Sequence, residues 1–402
     1  MMSAIKHLSK MKFTRTGPRR EAIIKKASDK MVPDSSFYRS NRIAGALHPA
    51  YQDLVIDRMV MEDELTCSYY LVPDRQAGCE KVAYFQAGQY LCVELNIDGH
   101  HFTRPYSISS SPRQAKEENF YRLSIALMKG FIAPDYIREN WKVGTRVRVS
   151  APLGNSTYNR LRDGRKILAL AGGNGVTPFV SMAHAVADGD IDADMLMLYG
   201  NKDLKSALFR EELRQLAEGC DRLKIVDVLE DEEIEGCEHG MITTQLIRKY
   251  RTDKDTSLFV CGPQAMYDYL NKELPKLKIP RKYLRLEIYG QFNDPSRLKE
   301  YPKGQKDKVY TLKVIQGEVT YEIKCPSGTS LVNAIEQSGI RIPVHCRCGY
   351  CGYCHSRLIS GEIFTPSFLE HRRAADHTYG YIHPCCSFPL SDLEIEIPLY
   401  KN

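Results

Sequence analysis

Thiols are concentrated in residues 346–354, which read Cys-Arg-Cys-Gly-Tyr-Cys-Gly-Tyr-Cys. Four cysteines in and after this stretch are separated by four, two and thirty residues, namely Cys346, Cys351, Cys354 and Cys385. That spacing is the plant-type pattern of a 2Fe-2S cluster, in which a tight loop wraps the inorganic core. Gly349 and Gly352 permit the sharp turns and let backbone N–H groups approach the sulfurs. A structural zinc site or buried free thiols are the alternatives, but paired CxxC knuckles are absent.

The length and composition indicate a globular chain of several domains. The 402 residues suffice for two to four domains, and 43% hydrophobic residues suffice for ordinary cores. Thirteen cysteines, odd in number, unevenly spaced and without a preceding signal peptide, favour a reducing cytoplasm over a disulfide framework. No apolar run approaches the roughly 20 residues that span a bilayer, so no membrane span is predicted.

The positive charge belongs to the N-terminal leader. Residues 1–45 hold eleven Lys and Arg against three Asp and Glu, and the net charge of +6 therefore leaves about −2 for the rest. An amphipathic helix is predicted over Arg20–Met31, between Pro18 and Pro33. The leader is a docking arm, a transit peptide or an extension packed on the first domain, and no nucleic-acid partner is expected.

Residues from about Tyr51 to Pro152 show the pattern of an antiparallel β domain. Short apolar alternations are divided by polar turns, at Tyr90–Ile97, Tyr121–Leu127 and Arg146–Val149. A small barrel is the natural closure of such strands. Between two of them lies Arg104-Pro105-Tyr106-Ser107, whose cation, ring and hydroxyl suit an aromatic cofactor with a phosphate tail.

The next segment alternates strands with helices. A buried strand, Lys166–Ala171, runs into Gly172-Gly173-Asn174-Gly175-Val176-Thr177-Pro178 and then an apolar helix to Val186. Glycines let the backbone approach a pyrophosphate, and Pro178 stands where a first helical residue is expected. Further strands follow at Met195–Tyr199, Lys224–Val228 and Leu258–Cys261, the last leading into Gly262-Pro263. A doubly wound parallel sheet is predicted, with its ligand at the carboxyl ends of the strands.

The C-terminal part reads as a linker followed by an α+β module. Gly290–Lys308 is rich in Gly, Pro, Lys and Asp, which is typical of an interdomain linker. The module contains a hairpin, a helix, the cysteine loop and a closing strand, at Tyr310–Ile315 with Thr320–Lys324, Ser330–Ser338, Cys346–Cys354 and Asp392–Ile397. The predicted domains are a basic extension (1–50), a β-barrel (51–160), an α/β domain (161–289), a linker (290–308) and an α+β domain (309–402).

Residues 51–402 resemble the ferredoxin-NADP reductase superfamily fused to a C-terminal plant-type ferredoxin. The domain order is similar to that of the phthalate dioxygenase reductase group and of the reductases of hybrid-cluster proteins. Arg104, Tyr106 and Ser107 match the RxYS flavin motif. The resemblance implies a flavin-binding barrel, a nicotinamide domain and a β-grasp ferredoxin domain. It also implies Tyr106 against the isoalloxazine, Ser107 near flavin N5 and Arg104, beside Pro105, on the flavin phosphate.

Two further motifs carry the resemblance in the α/β domain. The glycine loop matches the GGxGxTP nicotinamide motif through Gly172, Gly173, Gly175, Thr177 and Pro178. Cys261-Gly262-Pro263 matches the CGP motif, which implies a thiol beside the nicotinamide. Glu287 and Tyr289 stand where related reductases place a Glu and an aromatic residue near the flavin. Ser107, Cys261 and Glu287 are therefore the catalytic candidates.

The chain also departs from the family pattern. Gly130-Phe131-Ile132-Ala133 has Ala133 where FAD-binding members carry Ser or Thr, which leaves backbone N–H groups around Gly130 and Ile132 for the pyrophosphate. FAD is expected and FMN is possible. Cys385 is chosen over Cys386 as the fourth ligand because family members place it four residues before the proline that is Pro389 here. Cys348 and Cys386 are expected to be small buried neighbours.

The combination of sites predicts an NAD(P)H:acceptor oxidoreductase. A nicotinamide, NADH or NADPH, delivers two electrons as hydride, whereas a 2Fe-2S cluster accepts one at a time, so a flavin must stand between them. The expected acceptor is a separate redox protein, such as an oxygenase, a demethylase or a hybrid-cluster protein. The alternatives are a self-contained flavin reductase acting on a small acceptor and a redox-sensing binding module.

Overall fold

The structure, a computed structural model, describes residues 22, 38–251, 253–286, 292 and 294–399. The described residues up to His48 belong to one compact unit, which contains helix α1 (Arg39–Leu47), and those from Pro49 onward form another. The predicted leader helix, Arg20–Met31, lies outside the described residues apart from Ala22. No helix in the described ranges is long and apolar enough to cross a membrane.

The first domain of the larger unit is an antiparallel barrel, which confirms the prediction. Its six strands are β1 (Tyr51–Met61), β2 (Thr66–Pro73), β3 (Tyr90–Ile97), β4 (His100–Ser107), β5 (Tyr121–Ala126) and β6 (Arg146–Ser150). They are ordered β4-β3-β6-β1-β2-β5, and a bridge between Ile108 and Leu123 connects the two edges. Helices α2 (Pro112–Glu118) and α3 (Ile132–Asn140) lie in the connections. Inward residues of the alternating strands, such as Leu54, Leu91 and Val149, form the core.

The second domain is a doubly wound parallel sheet, as predicted. Its strands are β7 (Lys166–Gly172), β8 (Asp194–Asn201), β9 (Leu223–Leu229), β10 (Glu238–His239), β11 (Ser257–Cys261) and β12 (Leu284–Leu286), ordered β10-β9-β8-β7-β11-β12. Its helices are α4 (Thr177–Ala187), α5 (Arg210–Glu218), α6 (Thr244–Tyr250) and α7 (Gln264–Glu273). The strand order reverses between β7 and β11, so the ends of these two strands flank the usual ligand crevice.

The third domain is the predicted α+β module. A five-stranded sheet, ordered β14-β13-β19-β15-β17, combines β13 (Val309–Gln316), β14 (Val319–Pro326), β15 (Ser356–Ser360), β17 (Tyr381–Ile382) and β19 (Leu393–Glu396). A second, two-stranded sheet pairs β16 (Ile363–Phe364) with β18 (Phe388–Pro389). The helices are α8 (Leu331–Gln337), which Ser330 caps, and α9 (Ala374–Thr378). Helix α8 packs on the larger sheet through Leu331 and Ile335.

The domains of the larger unit share packed surfaces. Tyr90 and Cys92 project from barrel strand β3 into the hydrophobic core of the third domain. The described part of the predicted linker is anchored as well, because Phe292 packs edge-on against Phe388 at 6.0 Å and Tyr301 is only 8% exposed. This segment therefore lies against the third domain, which its abundance of Gly, Pro and Lys did not indicate.

Candidate functional site

The cysteine loop, residues 346–354, lies beside Cys385, so the four cysteines predicted from the spacing are close together. Backbone N–H groups of the loop donate to three sulfurs: Gly349 to Cys385 at 3.2 Å, Cys351 to Cys346 at 3.3 Å and Tyr353 to Cys351 at 3.4 Å. Gly349 and Gly352 adopt φ of +77° and +68°, a conformation that glycine reaches without steric cost. The loop thus turns its N–H groups toward the sulfurs, as a negatively charged cluster requires.

The pKa shifts of the thiols show that these sulfurs are neighbours. The thiols of Cys348, Cys351 and Cys385 beside Cys346 hold the pKa of the Cys346 thiol well below its ordinary value. The neighbouring thiols of Cys346, Cys354 and Cys386 raise the pKa of the Cys385 thiol. All four predicted ligands therefore lie in one network. No group of three or more His, Cys, Asp or Glu side chains in the described parts of the chain is arranged to hold a single metal ion.

Cys385 and Cys386 face different surroundings. The sulfur of Cys385 accepts the Gly349 N–H and neighbours Cys346. The sulfur of Cys386 instead approaches the carbonyl oxygens of His383 and Leu369, at 3.4 and 3.7 Å. A Cβ on Gly349 would stand 2.6 Å from that sulfur, so Cys386 packs beneath the loop. This geometry supports Cys385 as the fourth ligand, whereas Cys348 lies within the thiol network, beside Cys346.

The flavin motif lies on strand β4, at the edge where the barrel opens. Arg104 and Tyr106 share a face of the strand, and Tyr106 packs against the barrel core. Burial raises the pKa of Tyr106 to about 12, so its hydroxyl is neutral. Ser107 is 6% exposed and pairs with Tyr90 of strand β3. The Arg104 guanidinium faces Glu336 of the third domain, with an Nη1–Oε2 distance of 3.6 Å.

The predicted pyrophosphate segment lies at the start of helix α3. Gly130 has a φ of +85°, and its N–H donates to the Asp135 carboxylate at 2.9 Å. Ile132 is 45% exposed, whereas Ala133 is 2% exposed and packs in the barrel core. The Ala133 side chain lies in the core and the Gly130 N–H is already bonded to the Asp135 carboxylate, so neither group is presented to a phosphate in this geometry.

The two nicotinamide motifs meet at the ends of β7 and β11. A Cβ on Gly175 would stand 2.3 Å from the carbonyl oxygen of Cys261, and one on Gly262 would stand 2.4 Å from the Met266 sulfur. Only a glycine at position 175 allows the two loops to approach so closely, whereas Gly262 leaves room for Met266 of the helix that follows it. Gly172, the last residue of β7, likewise leaves no room for a Cβ beside Met266, and Gly173 has a φ of +48°.

The remaining residues of these motifs are mostly buried. Helix α4 begins at Thr177, one residue before the predicted start at Pro178, and the Thr177 hydroxyl donates to the Asn174 carbonyl at 3.0 Å. Cys261 is 1% exposed and ends β11 within the domain core, beside Gly262-Pro263. Asn174 also contacts the barrel, because the Thr66 hydroxyl lies 3.4 Å from its side-chain oxygen. Glu287 and Tyr289 lie outside the described residues.

A cavity of about 580 Å³ brings the three domains together. Its walls include Pro105 of the flavin motif, Leu286 at the end of β12, and Cys346 and Cys351 of the cysteine loop. The volume lies in the range of natural cofactor pockets. Three arginines make the lining cationic, namely Arg162, Arg281 and Arg285, and His345 and His371 also line the cavity. The cavity fits an anionic, aromatic cofactor, and the donor set of four thiols with inward N–H groups fits a 2Fe-2S cluster.

Sequence reasoning missed two arginines that connect the domains. Arg122 of β5 is 7% exposed and donates to both oxygens of Glu212 on α5, at 2.9 and 3.0 Å. His184 adds a contact of 2.6 Å to the same carboxylate. In the sequence, the one sign of this contact is the charge of Arg122 within the apolar run Tyr121–Ala126. Arg347, inside the cysteine loop, contacts barrel strand β4.

Three family models match the chain in the predicted order. They are the oxidoreductase FAD-binding domain over residues 78–158, the oxidoreductase NAD-binding domain over 169–272 and the 2Fe-2S iron-sulfur cluster binding domain over 314–390. The chain is therefore an NAD(P)H oxidoreductase that uses FAD and a 2Fe-2S cluster. The resemblance to flavin reductases of the ferredoxin-NADP reductase superfamily, fused to a plant-type ferredoxin domain, is confirmed.

Three curated relatives are oxidoreductases or reductase components that match over most of their own length. The ferredoxin reductase component of 3-ketosteroid-9-alpha-monooxygenase from Mycobacterium tuberculosis is 27% identical and covers 85% of this chain and 94% of its own. The glycine betaine monooxygenase reductase subunit of Chromohalobacter salexigens is 26% identical, over 78% of this chain and 87% of its own. The NADH oxidoreductase HCR of Escherichia coli is 25% identical, over 78% and 90%.

One solved structure matches the fold over most of both chains. Phthalate dioxygenase reductase, described as a modular structure for electron transfer from pyridine nucleotides to 2Fe-2S, matches with a TM-score of 0.61. It is 20% identical, and the match covers 87% of this chain and 98% of that one. The full three-domain architecture is thus shared with this reductase.

Proposed function

We propose that this chain is the reductase component of an oxygenase system and passes electrons one at a time to a separate oxygenase. The cavity lined by Pro105 of the flavin motif, Leu286 at the end of β12 and Cys346 of the cysteine loop carries the proposal. Two of the relatives described above are reductase components of monooxygenases, which supports an oxygenase as the acceptor. The thirteen free thiols support a reducing compartment such as the cytoplasm.

The chain has candidate binding residues for the nicotinamide cofactor, the flavin and the cluster. Backbone N–H groups of the glycine loop, from Gly172 to Pro178, would bind the nicotinamide cofactor at the helix start. Arg104, Tyr106 and Ser107 would bind the flavin. Cys346, Cys351, Cys354 and Cys385 would ligate the cluster. When bound, the nicotinamide supplies a hydride, the flavin exchanges two electrons or one, and the cluster carries single electrons.

The chain itself contributes orientation and exclusion of water. Gly175 allows the glycine loop to contact the end of β11, so Cys261 is held where the two nicotinamide motifs meet. The Cys261 side chain is buried in the core of the nicotinamide domain at this point. Ser107 occupies a fixed position on β4 through its pairing with Tyr90. We propose Ser107 and Cys261, with Glu287, as the residues that set the geometry of hydride transfer.

Replacing one cluster ligand tests the route of the electrons. In Cys351→Ser, reduction of cytochrome c, which accepts single electrons, should fall by at least ~10-fold, because weakening a metal site costs about that much or more. NADH-dependent reduction of the flavin should persist. Cys79→Ser is the matched control, since Cys79 is a half-buried barrel thiol outside the cysteine loop. Unchanged cytochrome c reduction in Cys351→Ser would instead favour a self-contained flavin reductase.

A further inference from the structure

Arg347 is buried inside the cysteine loop, between Cys346 and Cys348. It is 1% exposed and is the largest of the fully buried side chains in the described residues. Its φ of +57° is a left-handed conformation that few residues other than glycine adopt. Arginine is rarely buried without partners, so both the burial and the strained backbone need compensating contacts.

Those contacts cross from the third domain to the barrel. The Nε of Arg347 donates to the carbonyl oxygen of Thr103 at 2.6 Å, although 244 residues separate them. The Thr103 hydroxyl lies 3.5 Å from Nη2 of Arg347 and donates to the Val344 carbonyl at 3.0 Å. Thr103 precedes Arg104 on strand β4. The cysteine loop is thus bonded to the strand that carries the flavin motif.

The other partners of Arg347 lie on helix α8 of its own domain. Nη1 donates to the Asn333 side chain at 3.2 Å, and Nη2 pairs with the Glu336 carboxylate. Glu336 also faces Arg104, and its Oε2 has no hydrogen-bond partner. Burial, together with the nearby Arg347, lowers the pKa of Arg104 to about 10. Two guanidinium groups share one carboxylate, which leaves a positive charge suited to an anion beside Arg104.

We propose that Arg347 is a positioning residue that clamps the cysteine loop to strand β4 and so fixes the separation of the cluster site from the flavin site. The inference rests on the proposed function, because a fixed separation matters only if electrons pass between those sites. Bonds to Asn333 and Glu336 stay within the third domain, whereas bonds to Thr103 cross to the barrel. If Arg347 only stabilised the third domain, the bonds to Asn333 and Glu336 would suffice.

Variants of the full-length holoprotein separate these roles. Thr103→Val removes the hydroxyl that bonds the Val344 carbonyl and Nη2 of Arg347, whereas the bond from Arg347 Nε to the Thr103 main-chain carbonyl remains. Arg347→Lys keeps the charge but loses the planar fork, and Arg347→Met loses both. Thr145→Val is the matched control, because the Thr145 hydroxyl accepts a hydrogen bond from Lys142 N–H in the same barrel. Single-turnover mixing with NADH measures flavin and cluster reduction separately, and trypsin cleavage within residues 294–308 measures the seating of the third domain.

If Arg347 clamps the loop to strand β4, the variants should slow reduction of the cluster without slowing reduction of the flavin. Thr103→Val should match Thr145→Val in cluster absorbance and in the rate of flavin reduction. Cluster reduction should be slower by at least ~10-fold, as expected for a small misplacement of reacting groups, and trypsin cleavage should be faster. Arg347→Lys should lie between wild type and Arg347→Met.

Two outcomes would overturn the inference. One is that Thr103→Val and Arg347→Met are both indistinguishable from Thr145→Val in cluster reduction and in cleavage. The other is loss of the cluster in Arg347→Met while Thr103→Val is unaffected, which would make Arg347 purely structural. A wild-type cluster that NADH never reduces would refute the proposed function instead, and trypsin cleavage would still test the clamp.

Discussion

Cys385 and Cys386 are adjacent and chemically identical in the sequence, yet the structure gives them different neighbours. Cys385 lies among the other predicted ligands, and Cys386 contacts main-chain carbonyls beneath the loop. The cysteine spacing alone does not distinguish them, since a difference of one residue in a thirty-residue interval leaves the pattern intact. The choice depended on the family position relative to Pro389. In the structure the Cys385 sulfur accepts the Gly349 N–H, and the choice of Cys385 as a ligand stays a prediction.

Exchanging each of these thiols for a hydroxyl should give opposite results. Cys385→Ser should lose most of its bound iron and visible cluster absorbance, because one of four thiolates is removed. Cys386→Ser should retain both, with a modest loss of stability from a polar atom in a buried position. Iron content and absorbance of the two purified proteins provide the measurement. A Cys386→Ser protein without iron, beside a loaded Cys385→Ser protein, would reverse the assignment.

Strand boundaries were predicted closely, whereas contacts between elements were not. Strand β3 has the predicted bounds, and β5 and β6 differ by one residue, because apolar alternation follows directly from the pleat. The join between β5 and α5 through Arg122 and Glu212 has no local signal beyond one charge in an apolar strand. Such pairs depend on how separate elements pack, which periodicity does not encode.

The Arg122–Glu212 pair should stabilise the junction of the barrel and the nicotinamide domain in a pH-dependent way. Burial alone would raise the pKa of Glu212, but hydrogen bonds from His184 and Arg122 outweigh it and lower the pKa to about 2. A carboxylate with a depressed pKa contributes stability above its ordinary pKa, and this stability is lost as pH falls. The loss should therefore occur between about pH 4.5 and pH 2.

Glu212→Gln should lower the free energy of unfolding by about 2 kcal/mol near neutral pH, because a charged hydrogen-bond partner is removed. The acid-dependent part of the stability should shrink with it. Denaturant unfolding at several pH values measures both effects. Glu211→Gln on the same helix is the control, since Glu211 is exposed and its pair with Arg214 is screened by solvent. An unaltered pH profile in Glu212→Gln would contradict the assignment.

At the level of the whole molecule, sequence motifs identified the three redox domains but did not predict the cavity that all three domains line. RxYS, the glycine loop, CGP and the cysteine spacing each predict a local site, because each depends on short-range backbone geometry. The shared cavity brings together residues far apart in sequence, from Pro105 to Leu286 and Cys351. The resemblance supplied the domain order, and the structure supplied the juxtaposition. The roles of the site residues remain proposals.

Transfer of electrons from NADH through the flavin to the cluster is most directly tested by rapid mixing of the holoprotein with NADH. Absorbance reports the oxidised flavin, and electron paramagnetic resonance of frozen samples reports the reduced cluster. The proposed relay predicts that flavin absorbance falls first and that the reduced-cluster signal follows within the same turnover. A flavin that is fully reduced while the cluster remains oxidised would contradict it.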